Sequence, residues 1–261
     1  MTVDWVPGFY SNTARWWGDV DAEISERDVE RMNVAQLLGV PRGARLLELE
    51  CGYGATARLM AEAGYEVVAI DLSDRIDLAR RFALPETLTL VKDNFYTAQL
   101  DGAFDAVCYW DGFGVGSDDD QHRLLRRIAT EWLHRGGVAL IDVYNPFVWA
   151  GWDGMQERRS ARPEIGYRYN LGHTRTFDGL GCRATDTWWD EAAPTIRHTQ
   201  SLRCYAPADL QLLLRGTGLT LRNLVVNGSP VQIGMDVNPG AELLAEAWSY
   251  LAALETSPRA T

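Results

Sequence analysis

Short apolar runs alternate with amphipathic stretches through the middle of the chain. The runs have the length of β-strands and lie at 44–50, 65–72, 87–93, 103–110 and 137–145. Between them, apolar residues recur at helical spacing, in stretches that span 55–64, 74–84 and 118–137. Strand and helix in regular alternation predict an α/β fold with a mostly parallel sheet that helices cover on both faces.

The two flanks of this region follow other patterns. The opening stretch 3–20 is aromatic and irregular, and a helix is predicted after it, with Ser25 as N-cap and Asp28 closing a capping box. Beyond the fifth strand, the pattern of 146–205 favours antiparallel strands joined by Gly and Asp turns. A further helix and two strands are predicted at 207–218, 219–227 and 248–254. The last strand is preferred to one continuous helix because the sheet would otherwise lack its closing hairpin.

These patterns divide the chain into three parts. A lid and a helix occupy 1–43, a Rossmann-like doubly wound domain occupies 44–145 and 206–255, and an inserted antiparallel β segment occupies 146–205. The doubly wound sheet is predicted to have seven strands. Sheets of this type bind ligands at the carboxyl ends of their strands, so the inserted segment is expected to lie over that edge.

Composition narrows the class of protein. The 261 residues include 25 basic and 36 acidic ones, and this net charge of −11 argues against the basic face that nucleic acid requires. The four cysteines include no C-x-x-C pair, so we expect no metal. No secretory signal pattern and no apolar stretch of about 18 residues occur, so we expect a cytoplasmic protein that spans no membrane.

Two carboxylates flank the glycine turn that follows the first strand. The turn fits the pattern G-x-G-x-x-A at 52–57, and Asp71 follows its first glycine by 19 residues, as in dinucleotide-binding sites. Glu48 and Glu50 lie at the lip of the same turn. Carboxylates there repel a pyrophosphate, whereas they attract a ligand with an ammonium and a sulfonium group. S-adenosylmethionine has both cationic groups and a ribose for Asp71.

The same region resembles the class I S-adenosylmethionine-dependent methyltransferases. "LLELECGYG" is similar to their first motif, "VVAIDLS" to the second and "VKDNF" to the third, and the likeness continues in order through most of the chain. The resemblance implies S-adenosylmethionine as cofactor, with Asp71 on the ribose, Asp93 on the adenine amino group, and Asn94 and Phe95 beside the base. The full set of expected cofactor contacts is Tyr10, Glu48, Glu50, Gly52, Gly54, Asp71, Leu72, Asp93, Asn94, Phe95 and Trp110.

One position departs from the first motif. Glu50 stands where the family has its first glycine. Because a residue with a side chain is comfortable only at negative φ, we expect an ordinary backbone there.

The resemblance implies methyl transfer to a small-molecule acceptor, a secondary metabolite or an amine. Oxygen and carbon acids often need a base, whereas a neutral amine needs only orientation. Asp111, Tyr144 and His122 are the catalytic candidates, although Asp111 fits a structural turn cap equally well, and His134 suits a structural cation near a helix end. The candidates for acceptor binding combine apolar bodies with polar tips, and they are Trp17, Tyr144, Tyr167, Tyr169, His173 and Arg175.

Three alternatives stay open at this point. The inserted segment is rich in aromatic residues and arginine, which also suits the interface of a homodimer. The glycine pattern alone also fits a nicotinamide-dependent oxidoreductase. Glu50 in place of a glycine leaves open a protein that binds S-adenosylmethionine without methylating anything.

Overall fold

The structure is a computed structural model that describes residues 5–231, 233 and 241–256. Its strands, in chain order, are β1 (Arg45–Leu49), β2 (Glu66–Asp71), β3 (Leu88–Lys92), β4 (Phe104–Phe113), β5 (Leu133–Tyr144), β6 (Gln156–Arg159), β7 (Leu171–Asp178), β8 (Arg183–Asp190), β9 (Arg197–Arg203), β10 (Leu219–Val226), β11 (Ser229–Val231) and β12 (Ser249–Thr256). Its helices are α1 (Trp5–Asp21), α2 (Glu26–Leu37), α3 (Ala55–Glu62), α4 (Arg75–Ala79), α5 (Asp118–Arg127), α6 (Pro146–Gly151), α7 (Pro207–Leu213) and α8 (Ala241–Glu246).

Eight strands form the central sheet, in the order β11-β10-β12-β5-β4-β1-β2-β3. Five adjacent strands run parallel to one another, namely β3, β2, β1, β4 and β5. The other three strands, β12, β10 and β11, run antiparallel to their neighbours. The predicted α/β fold with a mostly parallel sheet is therefore confirmed. The prediction of seven strands missed only β11, a three-residue strand that a tight turn adds at the edge.

Alternating side chains of the central strands enter the two cores on opposite faces of the sheet. Leu47 and Leu49 of β1 belong to one buried cluster, and Leu46 belongs to the other. Trp110 and Tyr109 of β4 separate in the same way. Burial on both faces explains why these strands are continuous apolar runs. None of the helices within the described ranges is long and apolar enough to cross a membrane.

The predicted antiparallel strands between 146 and 205 form a second sheet, in the order β6-β7-β8-β9. The end of β4 joins the two sheets, because the Arg203 N–H donates a 2.8 Å hydrogen bond to the Gly114 carbonyl and Val115 pairs with Leu202. The small sheet therefore has a fixed attachment at the carboxyl end of a central strand, on the ligand edge of the large sheet.

Two predicted elements need correction. The opening stretch, expected to be irregular, is the 17-residue helix α1 over its described part. The long helix predicted at 118–137 is shorter, since α5 continues only through a π-helical turn to Trp132 and β5 begins at Leu133. His134 thus lies in β5, where its Nε2 is 2.5 Å from Asp105 Oδ1, and this hydrogen bond raises the pKa of His134.

Some predicted stretches are only partly described. Residues 1–4 of the expected N-terminal lid lie outside the described residues, and so do the positions between 233 and 241 that precede α8. The strand predicted at 248–254 is confirmed as β12, which lies between β5 and β10.

Helix α1 packs between the small sheet and the turns of the large one. The Trp17 ring meets the Trp188 ring of β8 edge-on at 5.3 Å, and Trp16 meets His198 of β9 in the same way. On its other side, the Ala14 carbonyl accepts a hydrogen bond of 3.1 Å from the Tyr53 hydroxyl in the glycine turn. The tryptophan rings therefore hold α1 against the small sheet, and the Tyr53 hydrogen bond holds it against the glycine turn.

Candidate active site

A cavity of about 960 Å³ opens at the carboxyl ends of β1, β2 and β4, beside α1 and α2. Its volume lies at the upper end of the roughly 300–1,000 Å³ typical of small-molecule sites. The residues predicted from sequence that line it are Tyr10, Glu48, Glu50, Gly52, Asp71, Leu72, Asn94, Phe95, Trp110, Asp111 and Tyr167. The predicted residues outside its lining are Gly54, Asp93, Trp17, His122, Tyr144, Tyr169, His173 and Arg175.

The turn after β1 has three residues in the left-handed region. Gly52 and Gly54 have φ of 54° and 71°, and α3 begins directly after them. Glu50 has φ of 51°, so the expectation of an ordinary backbone at this position is wrong. A left-handed residue with a side chain costs roughly 1–2 kcal/mol, and neighbouring hydrogen bonds hold the turn, including one of 3.1 Å from the Cys51 N–H to the Ile70 carbonyl.

The Asp71 carboxylate connects the turns that follow β1 and β2. One oxygen accepts a 2.7 Å hydrogen bond from the Gly52 N–H, and the other accepts from the Ser73 N–H and hydroxyl at 2.7 and 2.6 Å. The residue is buried and lines the cavity. Asp71 therefore holds the glycine turn and also lines the cavity.

Glu48 and Glu50 turn to different neighbours. Glu48 lies near Arg31 and Asp28 of α2, and burial raises its pKa to about 8. One of its carboxylate oxygens is fully buried and has no hydrogen-bond partner among the described residues. Glu50 instead lies against Gly112 and Tyr109 at the end of β4, where burial first, and then Asp71, raise its pKa to about 8.

Two arginines of α2 belong to the site although the sequence analysis did not select them. Arg27 and Arg31 both pair with the Asp111 carboxylate, and both lie within 4.0 Å of Asp142. The Arg31 guanidinium also lies 5.3 Å from the centre of the Trp110 ring. Their i, i+4 spacing on one helix face was the available signal, but only the fold shows what that face meets.

The three catalytic candidates differ in their surroundings. Asp111 is left-handed, with φ of 60°, and its carboxylate is engaged by the two arginines. The buried Tyr144 hydroxyl donates to the Asp111 carbonyl, and burial raises its pKa well above the usual value. His122 lies on the other side of α5, where its Nε2 is 3.0 Å from the Arg215 carbonyl. The structure therefore brings Asp111 and Tyr144 together and leaves His122 apart.

The acceptor candidates in the small sheet are mostly engaged with one another. The buried His173 ring stacks on Trp188 at 3.7 Å, and its Nε2 is 2.7 Å from Asp186 Oδ1. The other Asp186 oxygen accepts from the Gln200 amide at 3.2 Å, and the Tyr10 hydroxyl donates to that amide at 3.3 Å. This chain of contacts connects the small sheet to a residue that lines the cavity.

The other acceptor candidates of this region are Arg175, Tyr169 and Tyr167. The Arg175 guanidinium binds Glu157 at 3.1 Å and packs over Trp152, and Tyr169 lies beside Arg15. Of the acceptor candidates beyond β6, only Tyr167 lines the cavity.

The cavity as a whole is acidic. Eight carboxylate residues and four arginines line it, and the carboxylates are Asp21, Glu23, Asp28, Glu48, Glu50, Asp71, Asp111 and Asp120. An unpaired buried oxygen on Glu48 matches the needs of an ammonium group, and the carboxylate of Asp71 can accept from ribose hydroxyls. These residues fit S-adenosylmethionine and oppose a pyrophosphate.

Glu48 should cost stability when the cavity is empty. Its pKa is about 8 in the folded protein against 4.5 unfolded, so the folded state binds the proton more tightly. The contribution of Glu48 to stability is then greatest below pH 4.5 and is lost as the pH rises through 8. We expect Glu48→Gln to stabilise the cofactor-free protein by about 1–2 kcal/mol above pH 8 and little at acid pH. Urea unfolding at both pH values measures this. The exposed Glu62→Gln is the matched control, and a Glu48 effect that is equal at both pH values would contradict the prediction.

Comparison with known proteins agrees with this geometry. Residues 24–224 match the family model described as a methyltransferase domain. Cypemycin N-terminal methyltransferase of Streptomyces sp is 30% identical over 193 residues, which cover 72% of this chain and 76% of that protein. The CcbJ methyltransferase structure from Streptomyces caelestis has a TM-score of 0.76 at 17% identity and covers 96% of this chain and 98% of its own. S-adenosylmethionine-bound CalS10, an amino pentose methyltransferase from Micromonospora echinaspora, has a TM-score of 0.59 at 16% identity and covers 88% of this chain and 91% of its own.

Proposed function

The chain belongs to the class I S-adenosylmethionine-dependent methyltransferases, and from that premise we propose that it methylates the amine of a small molecule. The cofactor is S-adenosylmethionine, which supplies an electrophilic methyl group on a sulfonium. Membership of this family removes the nicotinamide-dependent alternative.

The residues proposed to bind the cofactor lie at the carboxyl ends of the parallel strands. We propose that Asp71 accepts from the ribose hydroxyls, that Asn94 and Phe95 adjoin the base, and that Glu48 holds the ammonium group of the amino-acid tail. These residues line one cavity, and Glu48 has the unpaired buried oxygen described above. Asp93 lies next to this group but outside the lining, so we assign the base contact to its neighbours.

An amine acceptor is favoured by the excess of carboxylates in the cavity, which is the observation that carries the proposal. A cationic amine is attracted to such a site, and as the neutral base it has a lone pair that needs only alignment with the methyl group. The Asp111 carboxylate, the acidic catalytic candidate from the sequence, pairs with Arg27 and Arg31 and is not free to act as a base. An amine acceptor does not depend on that base.

The names of two relatives agree with this choice. One is an N-terminal methyltransferase and the other is an amino pentose methyltransferase, so both names refer to substrates that contain amines. We propose that the acceptor enters between α1 and the small sheet, beside Tyr167, and that the three-part division of the chain separates cofactor binding from acceptor binding. Tyr167 is the residue of the small sheet region that lines the cavity.

A panel of paired substrates tests the proposal. Each primary or secondary amine is compared with the alcohol of the same skeleton, and S-adenosylhomocysteine and methylated product are measured by mass spectrometry. We expect methylation of amines, with a preference of more than about a hundredfold over the paired alcohols. Methylation of alcohols in preference to amines would refute the amine assignment while leaving the family intact. A protein that binds the cofactor and never forms product with any acceptor would instead support a non-methylating role.

A further inference from the structure

Glu50 occupies the position of a motif glycine and has the left-handed backbone conformation that glycine adopts most easily. Its φ of 51° lies in the left-handed region, which glycine adopts without cost and a glutamate does not. In this conformation its side chain reaches Gly112 at the end of β4. The chain therefore keeps a carboxylate at a place where glycine would be more stable.

The end of β4 is shaped to receive this carboxylate. A β-carbon on Gly112 would overlap the Glu50 carboxylate in its observed position, so the glycine leaves that position open. The buried Tyr109 hydroxyl donates a 2.9 Å hydrogen bond to the Gly112 carbonyl and also faces Glu50. The glycine thus leaves space for the Glu50 side chain, which lines the cavity.

Charges around Glu50 leave it in need of a cation. The groups that face it are Tyr10 from α1, Asp71 from β2, Arg75 from α4, Tyr96 after β3 and Tyr109 from β4. Burial raises the pKa of all three tyrosines, so they stay neutral.

Arg75 is only a partial counterion. Its guanidinium is engaged elsewhere, at 3.1 Å from the Tyr10 carbonyl and 3.0 Å from the Thr13 hydroxyl. Glu50 forms no ion pair within 4 Å among the described residues.

We propose that Glu50 recognises the positive charge on the sulfur of S-adenosylmethionine, so that the site distinguishes this cofactor from its neutral product. The ribose anchor, Asp71, lies near enough to Glu50 to affect its titration, and one carbon separates the ribose ring from the sulfur. Glu48 is the less suitable group because Arg31 adjoins it. The inference concerns the cofactor alone and does not depend on the acceptor being an amine.

Within the cofactor, the sulfur is the only atom whose formal charge changes during the reaction. The ammonium and carboxylate of the amino-acid tail are the same in S-adenosylmethionine and S-adenosylhomocysteine. When the acceptor lone pair forms its bond to the methyl carbon, the carbon–sulfur bond breaks and its electron pair neutralises the sulfur. A carboxylate beside the sulfur therefore holds the substrate form and releases the product form.

Binding should be coupled to a proton. Since the free Glu50 has a pKa of about 8 and a bound cation favours its ionised form, binding of S-adenosylmethionine should release a proton below that pH. The affinity for S-adenosylmethionine should then rise as the pH increases toward 8. Without the contact between Glu50 and the sulfonium, the ratio of the S-adenosylmethionine affinity to the S-adenosylhomocysteine affinity would not change with pH.

The test is calorimetric titration with three probes on four proteins. The probes are S-adenosylmethionine, sinefungin, which has an ammonium in place of the methylsulfonium, and neutral S-adenosylhomocysteine. The proteins are the wild type, Glu50→Gln, Glu50→Gly and Glu23→Gln. Glu50→Gly restores the family residue and removes the strain of a left-handed residue with a side chain. Glu23→Gln is the control, because it removes a carboxylate elsewhere on the cavity wall. Titrations are made about 1.5 pH units below the Glu50 pKa and slightly above it.

In the wild type, the ratio of S-adenosylmethionine to S-adenosylhomocysteine affinity should rise about tenfold between the two pH values, with sinefungin following the cationic cofactor. Both Glu50 variants should lose this rise and weaken the two cationic probes by about tenfold, while S-adenosylhomocysteine stays within about twofold. Glu23→Gln should behave as the wild type. Equal weakening of all three probes, or a pH-dependent ratio that survives in both Glu50 variants, would overturn the proposal.

Discussion

Gly114→Ala should lower the free energy of unfolding by more than about 3 kcal/mol. Gly114 has φ of 114°, which residues with a side chain rarely adopt. An added β-carbon would overlap the Arg203 carbonyl oxygen and lie 3.0 Å from the Arg203 nitrogen, so backbone rather than a mobile side chain would have to move. The same two residues form the hydrogen bond that joins the small sheet to β4. The substitution therefore strains the attachment between the two sheets.

Gly39→Ala is the matched control for this substitution. Gly39 also has a left-handed backbone, with φ of 92°, but an added β-carbon has no heavy atom within 4 Å. We expect it to lose only about 1 kcal/mol, the cost of the backbone conformation. Chemical unfolding of both variants gives the difference. Equal losses would mean that the close approach to Arg203 has no energetic weight.

Asp71→Ala should weaken binding of S-adenosylhomocysteine by more than about tenfold, since hydrogen bonds to a charged acceptor contribute roughly 1.5–3 kcal/mol each. The structure adds a second consequence. The carboxylate also accepts from the Gly52 N–H and from Ser73, so the variant should be less stable and its glycine turn less ordered. Calorimetric titration measures the affinity, and thermal unfolding without ligand measures the stability.

Ser73→Ala separates the two effects of Asp71. It removes the 2.6 Å hydrogen bond from the hydroxyl and leaves the carboxylate and the Gly52 contact in place. A modest loss of stability with affinity kept within about threefold is expected. If Ser73→Ala weakens binding as much as Asp71→Ala does, the affinity depends on Ser73, which also lines the cavity, or on its hydrogen bond to Asp71, and the direct role of the Asp71 carboxylate is not supported.

Local signals in the sequence predicted most of the fold. Ser25 and Asp28 form the predicted capping box, because both partners lie within one turn of the helix. The strand run before Gly52 ends at Leu49, immediately before the residues that turn. The last strand was correctly preferred to a helix on the grounds of topology. In each case the information lies in a few neighbouring residues or in a rule of sheet assembly.

The rest depended on contacts between distant residues. The left-handed Glu50 was predicted to have an ordinary backbone, since only the space left by Gly112, on another strand, shows where its side chain goes. The sequence placed His122 on the correct helix but did not show which way its side chain faces. In the structure its side chain contacts the Arg215 carbonyl. Arg27 and Arg31 have an ordinary helical spacing, and their importance comes from Asp111, which is 84 and 80 residues away from them in sequence.

The position of β12 in the central sheet has a consequence for how the chain folds. β12 is the last described strand in the sequence, yet it lies between β5 and β10 and pairs with both. Until it is added, β5 and β10 each have an edge of unpaired N–H and carbonyl groups, and such edges recruit other chains. Its pairing with β5 joins residues about a hundred positions apart, which is a slow step in assembly. During synthesis, the greatest risk of aggregation therefore falls in the interval before residues 249–256 have been made.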